Sequence, residues 1–182
     1  MTLAIRKKIV YTVDVCGIKW EGVERRLAPG VPPLNERVEH MFLGQYQHNL
    51  DNKGRLIIPA RFRDMLADGA YIIQGLDQNL MVLTSKTFEL INQRVDSESI
   101  TDPKVRLLRR LIYSTGERVE IDGAGRILIP QFLRQAAGLD TEIIIVGVGN
   151  YFEIWSPERW NEQLAQIQDT KANEQRFAEF NI

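Results

Sequence analysis

Four cations lie within the eleven residues from 53 to 63: Lys53, Arg55, Arg61 and Arg63, with Asp51 the one acidic residue between 51 and 63. An ammonium is a compact point charge. A guanidinium is a planar fork that matches phosphate and can bond a guanine edge bidentately. Such a cluster on a loop can follow a phosphate backbone or enter a groove. Arg55 also stands four residues after Asp51 and can pair with it inside its own turn, so both readings are open at this stage. A second copy, Asp122-Gly123-Ala124-Gly125-Arg126, lacks the lysine and has Phe132 where the first has Arg61. Arg126 therefore suits internal structure or subunit contact better than nucleic acid.

Other chemistries are poorly supplied. Asp51 and Asp122 are turn initiators, and no serine or histidine array accompanies them, so no catalytic centre is expected. Cys16 is the lone cysteine, and His40 and His48 are the two histidines. That excludes a disulfide framework and a cysteine-built zinc site within the chain, and predicts a reduced, cytoplasmic protein with no metal, cofactor or small-molecule substrate. His48 reads as an ordinary strand residue. Gly123-x-Gly125 falls in a hairpin loop and lacks the strand–helix context of a nucleotide-binding turn. No apolar run approaches the roughly 18 residues of a membrane span.

The net charge of −1 excludes a whole-molecule polycation, so nucleic-acid binding requires a local patch. A second basic stretch holds Lys104, Arg106, Arg109, Arg110 and Arg118. It reads as a solvated helix face or an accessory phosphate-binding face, the former being the simpler. Residues 140–182 carry eight acidic and three basic side chains and should face away from a polyanion. Tyr151, Phe152, Trp155 and Trp160 have the spacing of a core or subunit interface rather than a base-stacking platform.

The elements that must position the cluster come from an internal repeat. Asp51–Pro59 aligns with Asp122–Pro130 at a constant offset of 71 residues, and the register continues through Arg63 on Arg134 and Asn79 on Asn150 to Ser85 on Ser156. Each copy predicts a strand (Gln45–Leu50; Arg118–Ile121), a turn built on Asp51 and Gly54 or on Asp122, Gly125 and Arg126, and a second strand (Leu56–Ile58; Ile127–Ile129) completing a hairpin. Proline then opens a short helix (Ala60–Ala67; Gln131–Ala137). Two strands close each unit: Tyr71–Gln74 with Leu80–Thr84, and Glu142–Val146 with Tyr151–Trp155. Helical patterns cover Ser85–Val95 and Pro103–Tyr113, and Ser156 caps a helix running to about Ala172. Neither unit can bury both sheet faces alone. The fold expected is mainly β with peripheral helices (α+β), a pseudo-twofold barrel built from both repeats.

The segments divide as 1–40, 45–88 (first repeat), 89–115 (helical linker), 116–160 (second repeat) and 161–182 (terminal helix and tail). Residues 1–40 show no clear period, hold the breaker cluster Pro29–Pro33 in Ala28-Pro29-Gly30-Val31-Pro32-Pro33... and read as a disordered or loosely attached extension. Any strand within 1–13 has no visible partner.

Met41-Phe42-Leu43-Gly44 followed by Asp51-Asn52-Lys53-Gly54-Arg55 resembles the start of the MraZ family of bacterial transcriptional regulators. Asp122–Arg126, Leu133–Leu139 and Phe152-Glu153-Ile154-Trp155 resemble its second half. The resemblance implies two SpoVT-AbrB-type domains of the swapped-hairpin kind. It further implies binding to repeated promoter boxes of double-stranded DNA upstream of a division and cell-wall gene cluster, a ring-like homo-oligomer, and a place on the nucleoid. It favours Lys53, Arg55, Arg61 and Arg63 as DNA contacts. Family members typically begin at the residue matching Met41, so an upstream start codon wrongly chosen is a further reading of residues 1–40.

Overall fold

A computed structural model of the chain describes residues 12–15, 18–21 and 41–180. The reading of 1–40 as a disordered or loosely attached extension falls mostly outside these. Within that stretch, β1 (Thr12–Val15) pairs antiparallel with β2 (Ile18–Glu21); the strand considered within 1–13 lies, except for residues 12 and 13, outside the described residues.

The body is an α+β fold. Its main sheet has six antiparallel strands in the order β3-β9-β10-β6-β5-β7. These are β3 (Gln45–Asn49), β5 (Ala70–Gln74), β6 (Leu80–Thr84), β7 (Glu117–Val119), β9 (Glu142–Gly147) and β10 (Tyr151–Trp155). The run Ile143-Ile144-Ile145 makes β9 a two-faced apolar strand, and it lies inside the sheet between β3 and β10. The edge strand β3 exposes Gln45, Gln47 and Asn49, which blunts the edge. A two-stranded ribbon, β4 (Arg55–Ile57) with β8 (Arg126–Leu128), packs on one face of the sheet.

The pairing corrects the sequence reading. β3 bonds β9 rather than β4, β7 bonds β5 rather than β8, and β4 and β8 bond each other. Each of these ladders joins one repeat to the other. Alternation in a sequence states which face of a strand is buried and is silent about its neighbour. Inside the first loop, the backbone ties between the two arms are the Leu50–Leu56 bridge and the Asp51 N–H to Arg55 carbonyl bond (2.9 Å), which do not extend into a ladder. In place of the pseudo-twofold barrel expected from both repeats, the strands form an open sheet, ending at β3 and β7, plus the separate ribbon.

Two apolar layers flank the sheet. On the ribbon side, Leu56, Ile58, Ile127 and Ile129 meet Ile72, Val82, Ile143, Ile145, Phe152 and Ile154. Phe42, Phe62 and Phe152 pack together there, with ring centroids 5.0 to 5.4 Å apart. On the other side, Ile144, Trp155, Trp160 and Leu164 form a separate cluster, and Tyr71 stacks on Phe88 at 4.1 Å. Helices α2 (Ser85–Ser97), α3 (Pro103–Thr115) and α5 (Pro157–Gln168) supply these outer contacts. Phe152, Trp155 and Trp160 are thus core residues, not a stacking platform.

Helix ends follow capping chemistry. Ser156 accepts the Arg159 N–H as the cap of α5. The helix expected to reach Ala172 stops at Gln168, because Asp169 accepts the Ala172 N–H and caps a new helix, α6 (Thr170–Arg176). The first short helix divides into α1 (Ala60–Arg63) and a 3-10 turn at Asp64–Leu66. Its counterpart α4 covers Gln131–Ala136, and Pro59 and Pro130 occupy the cap positions rather than the first turn.

Gly147 lets the segment before β3 cross β9. A Cβ there would lie 2.4 to 2.5 Å from the backbone of Phe42 and Leu43, whereas Gly123 faces open space. Gly147→Ala is expected to destabilise the fold by about 1–3 kcal/mol through overpacking, and Gly123→Ala by far less. Thermal or urea melts of both variants check this; equal losses would contradict the crossing.

Candidate nucleic-acid interface

The two Asp-x-x-x-Arg loops are near copies in three dimensions. Asp51 Oδ1 accepts the backbone N–H groups of Lys53 and Arg55, both at 2.9 Å, while its Oδ2 accepts Arg55 Nε at 2.7 Å and meets Nη2 at 2.6 Å. Asp122 repeats the pattern, taking the N–H groups of Ala124 and Arg126 at 2.9 Å, Arg126 Nε at 2.9 Å and Nη2 at 2.8 Å. Gly54 and Gly125 close the turns at φ +75° and +77°, where a side chain is strained. The local pairing of Arg55 with Asp51, which the sequence left as one alternative, is present.

These bonds set the carboxylate chemistry. Asp122 is held down to about 2 from an ordinary 3.8, first by the Arg126 side chain and next by the Arg126 backbone N–H. Asp51 moves the same way, chiefly through the Arg55 N–H. Arg126 is pushed up by its bond to Asp122. Burial, and then the charge of Arg63, pulls His48 below its usual 6.5.

The copies differ in what each guanidinium has left. Arg126 Nη1 lies 4.0 Å from Asp51 Oδ2, across the repeat boundary, so all three of its nitrogens face carboxylates. Arg55 spends Nε and Nη2 on Asp51, and its Nη1 has no partner among the described residues. The exposed Lys53 ammonium has none there either. Arg61 Nη1 donates to Tyr46 Oη at 2.6 Å, and Tyr46 Oη donates to the Leu43 carbonyl at 3.0 Å. Arg63 Nε donates to the Ile58 carbonyl at 2.9 Å, so its head is partly committed. Among the described residues the four predicted cations therefore gather around the first loop and α1 in different states: Lys53 is unpaired, Arg55 half-paired, and Arg61 and Arg63 anchored. Tyr46 escaped the sequence reading because its partner lies fifteen residues away.

Both strands of the ribbon bury one residue and present two. Arg55 faces Leu128 and Ile57 faces Arg126 across it, so its outer side alternates cation and aliphatic. The acidic terminal helix is on the other side of the sheet, where Trp160 and Leu164 dock. In the second basic stretch, Arg109 pairs with Asp96 at 2.6 Å, Arg118 with Glu120 at 3.5 Å, and Arg106 bonds carbonyls of the preceding turn. No group of three or more metal-ligating side chains occurs among the described residues, and no described helix is long and apolar enough to cross a membrane.

The family model described as "MraZ protein, putative antitoxin-like" matches twice, over residues 41–111 and 112–181. The two matches start 71 residues apart, the offset of the internal repeat. The chain belongs to the MraZ family. It is 43% identical over 139 residues to the Transcriptional regulator MraZ of Roseiflexus castenholzii, covering 76% of this chain and 95% of that protein. The MraZ regulator of Thermomicrobium roseum is 45% identical over 123 residues, 68% of this chain and 87% of its own length. That of Desulforamulus reducens is 42% identical over 128 residues, covering 70% and 90%. The two repeats expected from the sequence are thus two MraZ copies.

A carboxyl lowered on folding stabilises the fold above its unfolded value, and that contribution is lost as pH falls through the folded value. The Asp122 carboxyl is expected to titrate near pH 2, with its share of stability disappearing between about pH 4 and 2. Arg126→Gln should return the midpoint toward 3.8. Carboxyl-carbon NMR titration measures both; an unmoved midpoint would contradict the assignment.

Proposed function

We propose that the chain is a non-catalytic, sequence-specific DNA-binding regulator of transcription, with Lys53, Arg55, Arg61 and Arg63 forming its DNA-binding face. The observation that carries this reading is the unequal state of two loops that share the same hydrogen-bond pattern. Among the described residues the first keeps an unpaired ammonium at Lys53 and an unpartnered Nη1 at Arg55, and the second has neither. The names of its relatives, transcriptional regulators, support the same reading. Phosphate contacts come from Lys53 and the rim arginines, and Arg55 can meet a base edge while Asp51 fixes its plane. This loop leads into the β4–β8 ribbon, and the acidic terminal helix docks through Trp160 and Leu164 on the other face of the sheet. A two-stranded ribbon is also narrow enough for a major groove.

One chain offers few phosphate contacts on a body with sixteen basic and nineteen acidic residues from 41 to 182. A homo-oligomeric ring presenting several such loops gains about 10²–10⁴ in avidity with no new contact. The exposed Ile167, Phe177 and Phe180 near the C-terminal end, with Leu107 and Leu108 on α3, supply apolar area for subunit contact. The DNA is a promoter with boxes at regular spacing, that of its own division and cell-wall gene cluster, reached in the cytoplasm at the nucleoid.

A second reading is a protein-binding module of the antitoxin-like kind. It is favoured by Ile57 and Leu128, 45% and 55% exposed on the outer face of the ribbon.

Arg55→Ala is expected to weaken binding to the promoter duplex by about 1–3 kcal/mol per site, and Arg126→Ala by much less, with both proteins folded. Titrations against duplexes with one, two or three boxes, alongside light scattering, should show affinity rising with box number and sensitive to spacing. Equal losses from the two substitutions would overturn the asymmetry. Equal binding by a monomer to one box and three would overturn the ring.

A further inference from the structure

We propose that Arg134, in the second repeat, is the positioning residue of the first loop, and that Arg63 holds the second loop in exchange. The inference rests on the nucleic-acid reading for its effect on DNA affinity and on geometry alone for the clamp itself.

Arg134 leaves α4 and donates Nε to the Ile129 carbonyl at 3.1 Å. The Ile129 N–H in turn donates to the Gly54 carbonyl at 2.9 Å. The guanidinium lies against Gly54: a Cβ on that glycine would sit 2.8 to 3.0 Å from Cζ, Nε and Nη2 of Arg134. The triangle of Arg134, Ile129 and Gly54 thus ties the tip of the first loop to the second repeat. Its mirror is complete. Arg63 Nε donates to the Ile58 carbonyl at 2.9 Å, the Ile58 N–H donates to the Gly125 carbonyl at 2.9 Å, and the Arg63 guanidinium fills the place of a Gly125 Cβ at 2.4 to 2.7 Å.

Both glycines therefore meet two demands, a positive φ and room for a planar cation. The flat guanidinium suits that place, and an ammonium on a flexible stem does not. The consequence adds a role that local sequence does not show. Arg63 lies in the cation-rich stretch of the first repeat, yet its head supports the loop that keeps no free cation. Arg134 lies outside that stretch and supports the loop that carries Lys53 and Arg55.

The test uses the full-length, ¹⁵N-labelled chain and a duplex of the sequence upstream of its own gene. Arg134→Ala should shift the Gly54 amide resonance and leave Gly125 in place, and Arg63→Ala should do the reverse. Arg134→Ala should bind the duplex roughly tenfold more weakly, with the slope of log affinity against log salt unchanged, because no phosphate contact is removed. Lys53→Ala, a contact loss, should reduce that slope by about one per site. Arg134→Lys should not restore affinity, and Arg134→Gln, which keeps the stem, guards against simple unfolding. A Gly54 resonance indifferent to Arg134, unchanged affinity in folded Arg134→Ala, or a reduced salt slope in that variant would overturn the positioning role. A wild-type chain that binds no duplex while Gly54 still follows Arg134 would overturn the nucleic-acid reading and leave the clamp standing.

Discussion

The antiparallel pairing of β4 with β8 is the constraint on which the rest of the body depends. Each strand is three residues long and supplies one buried side chain, Leu56 or Ile127. A strand so short has no stable existence without a partner and an apolar face. The partner is the matching strand of the other repeat, and the face is the six-stranded sheet, which also draws β3 and β9 from different copies. In the folded chain residue 56 lies opposite residue 127, and each loop is held by local bonds and by the opposite repeat together. The loops are consequences of the exchange: Ile58 and Ile129, just beyond the ribbon, donate to the carbonyls of the opposite loops.

That dependence bears on why both loop aspartates lie below the ordinary carboxylate value, Asp122 at about 2, although neither is buried. Surface ion pairs contribute little when two flexible side chains must be ordered to form them. Here the carboxylate also accepts two backbone N–H groups whose positions the glycine turn has already set. The arginine is anchored by its own strand, and its backbone N–H bonds the same aspartate. Preorganisation, more than burial, makes the pair tight.

Much of this was legible in the sequence and some was not. The constant offset located both loops, and the strands Leu80–Thr84 and Tyr151–Trp155 agree with the expected limits. The aromatic residues 152, 155 and 160 read as core or subunit interface and are buried in the core. Partner choice was not legible, since β3 followed by a turn and β4 has the pattern of a hairpin whether or not the arms bond each other. Nor were the states of the four cations. Arg61 and Arg63 look alike in sequence, but one meets a tyrosine of β3 and the other a carbonyl of its own repeat and a glycine of the other repeat's loop. Such contacts depend on tertiary placement, which local spacing does not encode. The break at Asp169 was recoverable, because aspartate is a strong cap and the Ala172 N–H lies within its reach.

A symmetric scaffold carrying unequal loops has a physical logic. The shared elements, aspartate, glycine, arginine and the opposite repeat's clamp, are those needed to close the ribbon, and both copies retain them. The differences fall where the ribbon does not need them: Lys53 against Ala124 at the loop tip, and Arg61 against Phe132 on the following helix. Arg61 reaches Tyr46, whereas Phe132 is 44% exposed. Charge at those two positions alters the outer surface without altering the turn beneath it. One loop can then present cations while its copy, with every nitrogen of Arg126 turned to a carboxylate, acts as the structural counterpart that fixes it.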